Sequence, residues 1–163
     1  MRALPDPVGT VHEPAGAERA TATLFPPGEA LLSAIRGHHV GVHPLEKIAH
    51  RFGLLHQHRL ARPVDECRCS SVELVLAVDV WVADRLPVPH PAATLHTETL
   101  GTVIDRLAEA QVRAYHLLMT VDPADPIVHA AWYRLAELVD GYTDLITEVT
   151  QRARRLPALR DRR

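Results

Sequence analysis

Aromatic residues make up only 4% of this chain, lysine occurs once, as Lys47, and cysteine occurs only as Cys67 and Cys69. Each scarcity excludes something. With so few rings, Leu, Val, Ile and Ala must supply most of the burial, which suits packed helices. Two thiols in a C-x-C spacing are too close to form a relaxed mutual disulfide. They are also half of a four-ligand zinc site with no second pair, so reduced thiols are expected. No apolar run approaches the roughly 20 residues of a membrane-spanning helix. Met1–Pro14 holds one arginine and no apolar segment, so neither a signal peptide nor a membrane partner is expected, and the localisation expected is cytoplasmic. Catalytic signatures are missing too. There is no E-x-x-H pair for a di-iron centre, no H-E-x-x-H, no glycine-rich nucleotide loop and no serine or cysteine in a nucleophile setting. No cofactor is named by the sequence.

What is present fits one domain: 163 residues, 47% hydrophobic. Abundant Arg, Ala and Pro point to a GC-rich, bacterial genome. The formal charge of −2 is uneven, because the last twelve residues hold six arginines against Asp161. The body is therefore acidic, which argues against nucleic acid as a partner. The Arg152–Arg163 stretch reads as a helix end passing into solvated chain.

Residues 1–26 contain four prolines and no apolar period, and are expected to form a disordered arm. Residues 27–156 carry helical periodicity and 157–163 an Arg-rich tail. A short helix covers 27–36 and stops at Gly37. A second begins after His43, with Pro44 at its first position, and runs to Arg62 before Pro63. The third spans 65–86 and the fourth 97–121, with Thr97 as N-cap and Glu98 in the first turn. The fifth spans 127–155. No alternating strand pattern is present, so the fold predicted is all-α, an antiparallel bundle of four long helices plus a short leading helix, with no sheet.

A helical wheel sorts the polar residues. On the second helix His43, Glu46 and His50 have a metal-like spacing but lie opposite the apolar stripe, which favours a solvated surface. His56 falls at the edge of that stripe with Arg59 one turn on, either a buried structural histidine or a functional one. The third helix is apolar almost all round (Val72, Val75, Val78, Val82, Leu86) and is predicted to be central. Asp79 sits in its most apolar arc and needs a partner, Arg59 or Arg106. Trp81 points elsewhere and suits the wall of a neighbouring groove. On the fourth helix Leu100, Val103, Ile104, Leu107, Ala114 and Leu118 face the core, while Asp105, Glu109 and His116 point away. Its start gathers His96, Thr97, Glu98 and free backbone amides, suiting either a polar ligand or a well-capped helix. Glu137, Asp140, Asp144 and Glu148 form a solvated acidic face on the fifth.

The run His96-Thr-Glu-Thr99, Gly101 and Val103-Ile-Asp-Arg-Leu107 resembles the bacterial domain-of-unknown-function 4254 family, most nearly its actinobacterial branch. His43-Pro-Leu45 with Leu55-His56 and Arg59, and Glu73 with Val78-Asp79 and Trp81-Val82, add weaker likeness. The resemblance covers about residues 30–150 and implies an all-helical fold without an established activity. Two positions depart from it: Ser71 where many members carry arginine, and His96 where asparagine is common.

Three functions follow as expectations. The first is a small-molecule-binding protein or enzyme of specialised or cell-envelope metabolism, with a polar pocket between the second, third and fourth helices. There His56, His96, Glu98 and Asp79 would be catalytic, and Arg59, Trp81, Thr97 and Arg106 would bind the ligand. The second is a helical adaptor or assembly protein, with self-association left open. The third is a histidine-based metal or non-covalent haem binder. No metal-binding residues are assigned.

Overall fold

The structure, a computed structural model, describes residues 23–62 and 68–159. The arm up to residue 22, Cys67 and residues 160–163 of the Arg-rich tail lie outside the described residues, as does the side chain of Cys69. The chain is mostly helical. Five helices follow in order: α1 (Gly28–Arg36), α2 (Pro44–Ala61), α3 (Arg68–Ala83), α4 (Leu100–Thr120) and α5 (Pro126–Thr150).

Local chemistry sets the ends. Gly37 closes α1 at φ 74°, a left-handed conformation that favours glycine, and its N–H donates to Ala34 O. Pro44 and Pro126 occupy first-turn positions where a missing N–H costs nothing. The residues before them cap: Leu45 N–H donates to His43 Nδ1 at 3.1 Å, and Ile127 N–H to Asp125 Oδ1 at 2.9 Å. The cap of α4 is Thr99, whose Oγ1 accepts from Thr102 N–H at 3.3 Å, and not Thr97, which is exposed. Two residues before that cap, the turn at His96–Glu98 takes the chain into the helix.

The core gathers Leu31, Ile35, Leu45, Phe52, Val78, Leu100, Ile104, Leu107 and Tyr142, all essentially inaccessible. Full burial of one such aliphatic or Phe side chain is worth about 1.5–3 kcal/mol. The central helix is α4, which contacts α1, α2, α3 and α5, and not α3 as periodicity predicts. Val72, Leu76 and Val80 leave an exposed apolar stripe on α3, so an apolar composition all round does not by itself place a helix at the centre. Two glycines let backbones close up. A Cβ on Gly53 would lie 2.2 Å from Ile35 O of α1, and one on Gly101 would lie 2.4 Å from Val75 O of α3. Ser71 meets Asp105 and Asp79 meets Gly101, so α3 and α4 run in opposite directions where they touch.

Three further expectations are corrected. Leu24, Phe25 and Pro26 belong to the packed domain and not to a disordered arm: Phe25 is buried, and Tyr142 donates to Pro26 O at 2.8 Å. Helix α5 stops at Thr150, and the arginines after it are engaged. Arg152 Nε donates to Val88 O at 2.6 Å, and Arg154 Nε to Glu148 at 2.7 Å. There is also a minimal sheet: β1 (Thr94–Leu95) pairs in parallel with β2 (Arg154–Arg155). Two residues per strand are too few to leave a period in the sequence.

Candidate functional site

The eight residues singled out from the sequence do not converge on one pocket. They fall into separate places around α4 and at the far end of α3.

His56 is buried between α2 and α4, and its Nε2 lies 2.7 Å from Asp105 Oδ1. Ser71 Oγ donates to the other carboxylate oxygen at 2.8 Å. Asp105 therefore faces inward, towards α2 and α3, and not to solvent. Burial opposes its ionisation, but the hydrogen bonds from His56 and Ser71, together with the positive charge of Arg59, outweigh that. Its carboxyl is held below the ordinary 3.8. An ionised carboxylate only accepts, so His56 carries its proton on Nε2. Ser71 stands where the family resemblance expects arginine, and a hydroxyl here does the pairing.

Asp79 is buried, and its partners among the described residues are not arginines. Its Oδ1 accepts from Gly101 N–H at 2.8 Å, and the Thr99 side chain adds a second hydrogen bond. The carboxylate thus satisfies one of the orphan amides at the start of α4. Burial pushes its carboxyl above 3.8, and the two hydrogen bonds only partly offset this. Arg106, one candidate for that pairing, instead meets Glu98.

Glu98, Arg106 and His96 line a hollow of about 150 Å³ beside Tyr142 and Leu145 of α5, on the other side of α4 from His56. His96 Nδ1 accepts from Glu98 N–H at 3.2 Å, which makes it a turn-forming residue. Trp81 is half-buried against Phe25, with ring centroids 6.4 Å apart, and His43, at 5.2 Å, while Arg85 stacks over it. Its Nε1 is buried with no hydrogen-bond partner among the described residues. His43, Glu46 and His50 are not a solvated face either. They tie down Leu24 O, Gly41 N–H and Ala34 O respectively, holding α1 and the connecting loop to α2.

The largest described cavity lies elsewhere, between the end of α1, the last turns of α2 and the second half of α4. It measures about 580 Å³, within the range of small-molecule sites. Leu60, Val112, Tyr115 and Met119 form its apolar wall, and Arg36, His38, Gln57, Gln111 and His116 its polar groups. Among the described residues, no carboxylate lines it. Gln111 is 1% exposed; its Oε1 accepts from Arg36 Nη2 at 3.0 Å, and its Nε2 has no partner among the described residues.

Gln111 did carry a sequence signal. It stands four residues after Leu107 and seven after Ile104, on the apolar stripe of α4. Asp105 carried none on a wheel with a single core face, because α4 is buried on several sides.

With this geometry in place, comparison with known proteins gives one match. A family model described as a protein of unknown function, DUF4254, matches residues 45–158. The chain belongs to the DUF4254 family. The match takes in α2 to α5 and the strand pair, whereas α1 with Arg36 precedes it. No curated protein and no solved structure matches the chain. No described helix is long and apolar enough to cross a membrane, and the described residues hold no group of three or more His, Cys, Asp or Glu that could bind a metal ion.

Proposed function

We propose that this DUF4254 member is a small-molecule-binding protein whose ligand seats in the groove between α1, α2 and α4. The observation that carries the proposal is the Gln111 amide nitrogen. Gln111 lines a cavity of about 580 Å³, and this nitrogen is buried with no acceptor among the described residues. A buried donor without a partner costs about 1–3 kcal/mol, and a bound ligand with an acceptor offsets that cost. The setting proposed is bacterial, of the actinobacterial branch, cytoplasmic, and within specialised or cell-envelope metabolism, on an antiparallel bundle of the four long helices. Native mass spectrometry of the freshly purified chain tests the proposal. A stoichiometric adduct that is released on unfolding supports it. A chain with no adduct, whose melting temperature no metabolite-sized compound raises, overturns it in favour of the adaptor alternative.

One observation favours a second, enzymatic reading. Asp105 holds His56 with the proton on Nε2, leaving the Nδ1 lone pair unbonded among the described residues. A histidine so oriented by a carboxylate is equipped as a general base. If His56→Gln keeps the fold and ligand affinity but abolishes turnover of the adduct, the protein is an enzyme. Full turnover in that variant makes the pair structural.

A further inference from the structure

We propose that the groove takes an amphipathic organic anion, with a carboxylate or phosphate head held by Gln111 and Arg36 and an apolar body lying on α2 and α4. This deepens the ligand-binding proposal and rests on it. The orientation of the Gln111 amide is set by its neighbour. Arginine can only donate, so the Gln111 atom 3.0 Å from Arg36 Nη2 is the carbonyl oxygen. The amide nitrogen is then fixed on the other side, with two N–H groups and no acceptor among the described residues.

The charge beside it has one sign. Among the described residues, Arg36 contacts a neutral amide, makes no ion pair, and stands in a groove lined by His38 and His116 and by no carboxylate. The nearby C-terminal end of α1 would ordinarily repel an anion. Here the N–H groups of Gly37 and His38 already occupy the carbonyls of Ala34 and Ser33. A cationic head would face Arg36 and an unmet donor. A sugar would leave its hydroxyls against Leu60, Tyr115 and Met119, which are at least half exposed with the groove empty. An acceptor head on an apolar tail answers both walls. Charge-assisted bonds to Arg36 and Gln111 would fix the head, and the tail would cover the apolar side.

Titration calorimetry of the full chain with four probes of equal chain length tests this: octanoate, octyl phosphate, 1-octanol and octylamine. The expected result is that at least one anion binds, with 1-octanol at least ten-fold weaker and octylamine not measurable. The tighter anion names the head. Gln111→Leu and Arg36→Gln should each weaken the anion at least ten-fold and leave 1-octanol unchanged, with circular dichroism confirming the fold. If Gln111→Leu does not fold, Arg36→Gln decides. If octanol or octylamine binds as tightly as the anions, or neither substitution matters, the anion assignment fails while ligand binding in the groove stands. If none of the probes binds and the purified chain carries no adduct, both fail.

Discussion

Towards α3, helix α4 presents Asp105 and the amide of Gly101, and each buried carboxylate at that interface is hydrogen-bonded on the partner helix or at the helix start. Towards α1, the same helix presents Gln111, which lines a cavity and half of whose amide has no partner among the described residues. The composition of the two faces does not separate them, since both set polar side chains among aliphatic ones. What separates them is closure. Glycine at position 101 lets the backbones of α3 and α4 approach closely, whereas α1 ends at Gly37 and Tyr115, His116 and Met119 of α4 stay exposed. Polar groups in the closed interface bind helices together. Those beside the open one are free to bind something else.

The largest effect should come from forcing the closed side open. In Gly101→Val the first side-chain carbon would stand 2.4 Å from Val75 O and 2.8 Å from Asp79 Oδ1, both on α3. A loss of about 3 kcal/mol in urea unfolding is expected, at the upper end for overpacking. A loss under about 1 kcal/mol would mean that α3 is only loosely held.

Next in size, Asp105→Ala removes the acceptor of two hydrogen bonds and should cost about 2–3 kcal/mol at pH 7. Since the Asp105 carboxyl is held below 3.8 in the folded chain, its contribution is complete above that value and is lost as pH falls through the folded value. The gap between parent and variant should therefore narrow in acid. A gap that is constant from pH 7 to pH 3 would show that the charge of Asp105 does not matter.

Asp79 should show the opposite sign. Its folded value is raised, so the folded state gains from its protonation below 3.8, and the gain is lost as pH rises through the raised value. Asp79→Asn keeps an oxygen for Gly101 N–H without a charge to bury. It should melt at or above the parent at pH 7, by up to about 4 °C, and no higher than the parent at pH 3. A lower melting temperature at pH 7 would mean that Asp79 is paired with a cation after all.

The smallest effect belongs to the open side. Met119→Ala, on an exposed groove residue, should change stability by no more than about 0.5 kcal/mol while weakening the octanoate probe. A larger loss would mean that the groove wall supports the fold.

Much of this architecture was legible in the residues. The starts at Pro44 and near Pro126, the stop at Gly37 and the inward turn of His56 all follow from local rules of capping and periodicity. The candidate site was not legible in the same way. A wheel assigns each helix one buried face, and α4 has several, so Asp105 was turned outward and Gln111 was passed over. The burial of Asp79 could be read, but not its partner, because a backbone amide at a helix start leaves no residue type to search for. His96, Thr97 and Glu98 looked like a site because they begin a helix. In the structure His96 forms a turn, Thr97 is exposed, and Glu98 pairs with Arg106.

The strand pair has a mechanical consequence out of proportion to its size. Thr94 N–H donates to Ala153 O, His96 N–H to Arg155 O and His90 N–H to Arg152 O, so the segment entering α4 is laced to the segment leaving α5. The hairpin of α4 and α5 is thereby a lasso fastened at its neck, without a covalent link. Loop-closure entropy grows slowly with length, by about 0.6 kcal/mol per doubling. Residues inserted between Asp122 and Asp125 would therefore hardly loosen the knot. Cutting the chain after Gln151 would untie it, releasing His96 and, one turn on, the Thr99 cap and the Gly101 amide that Asp79 holds.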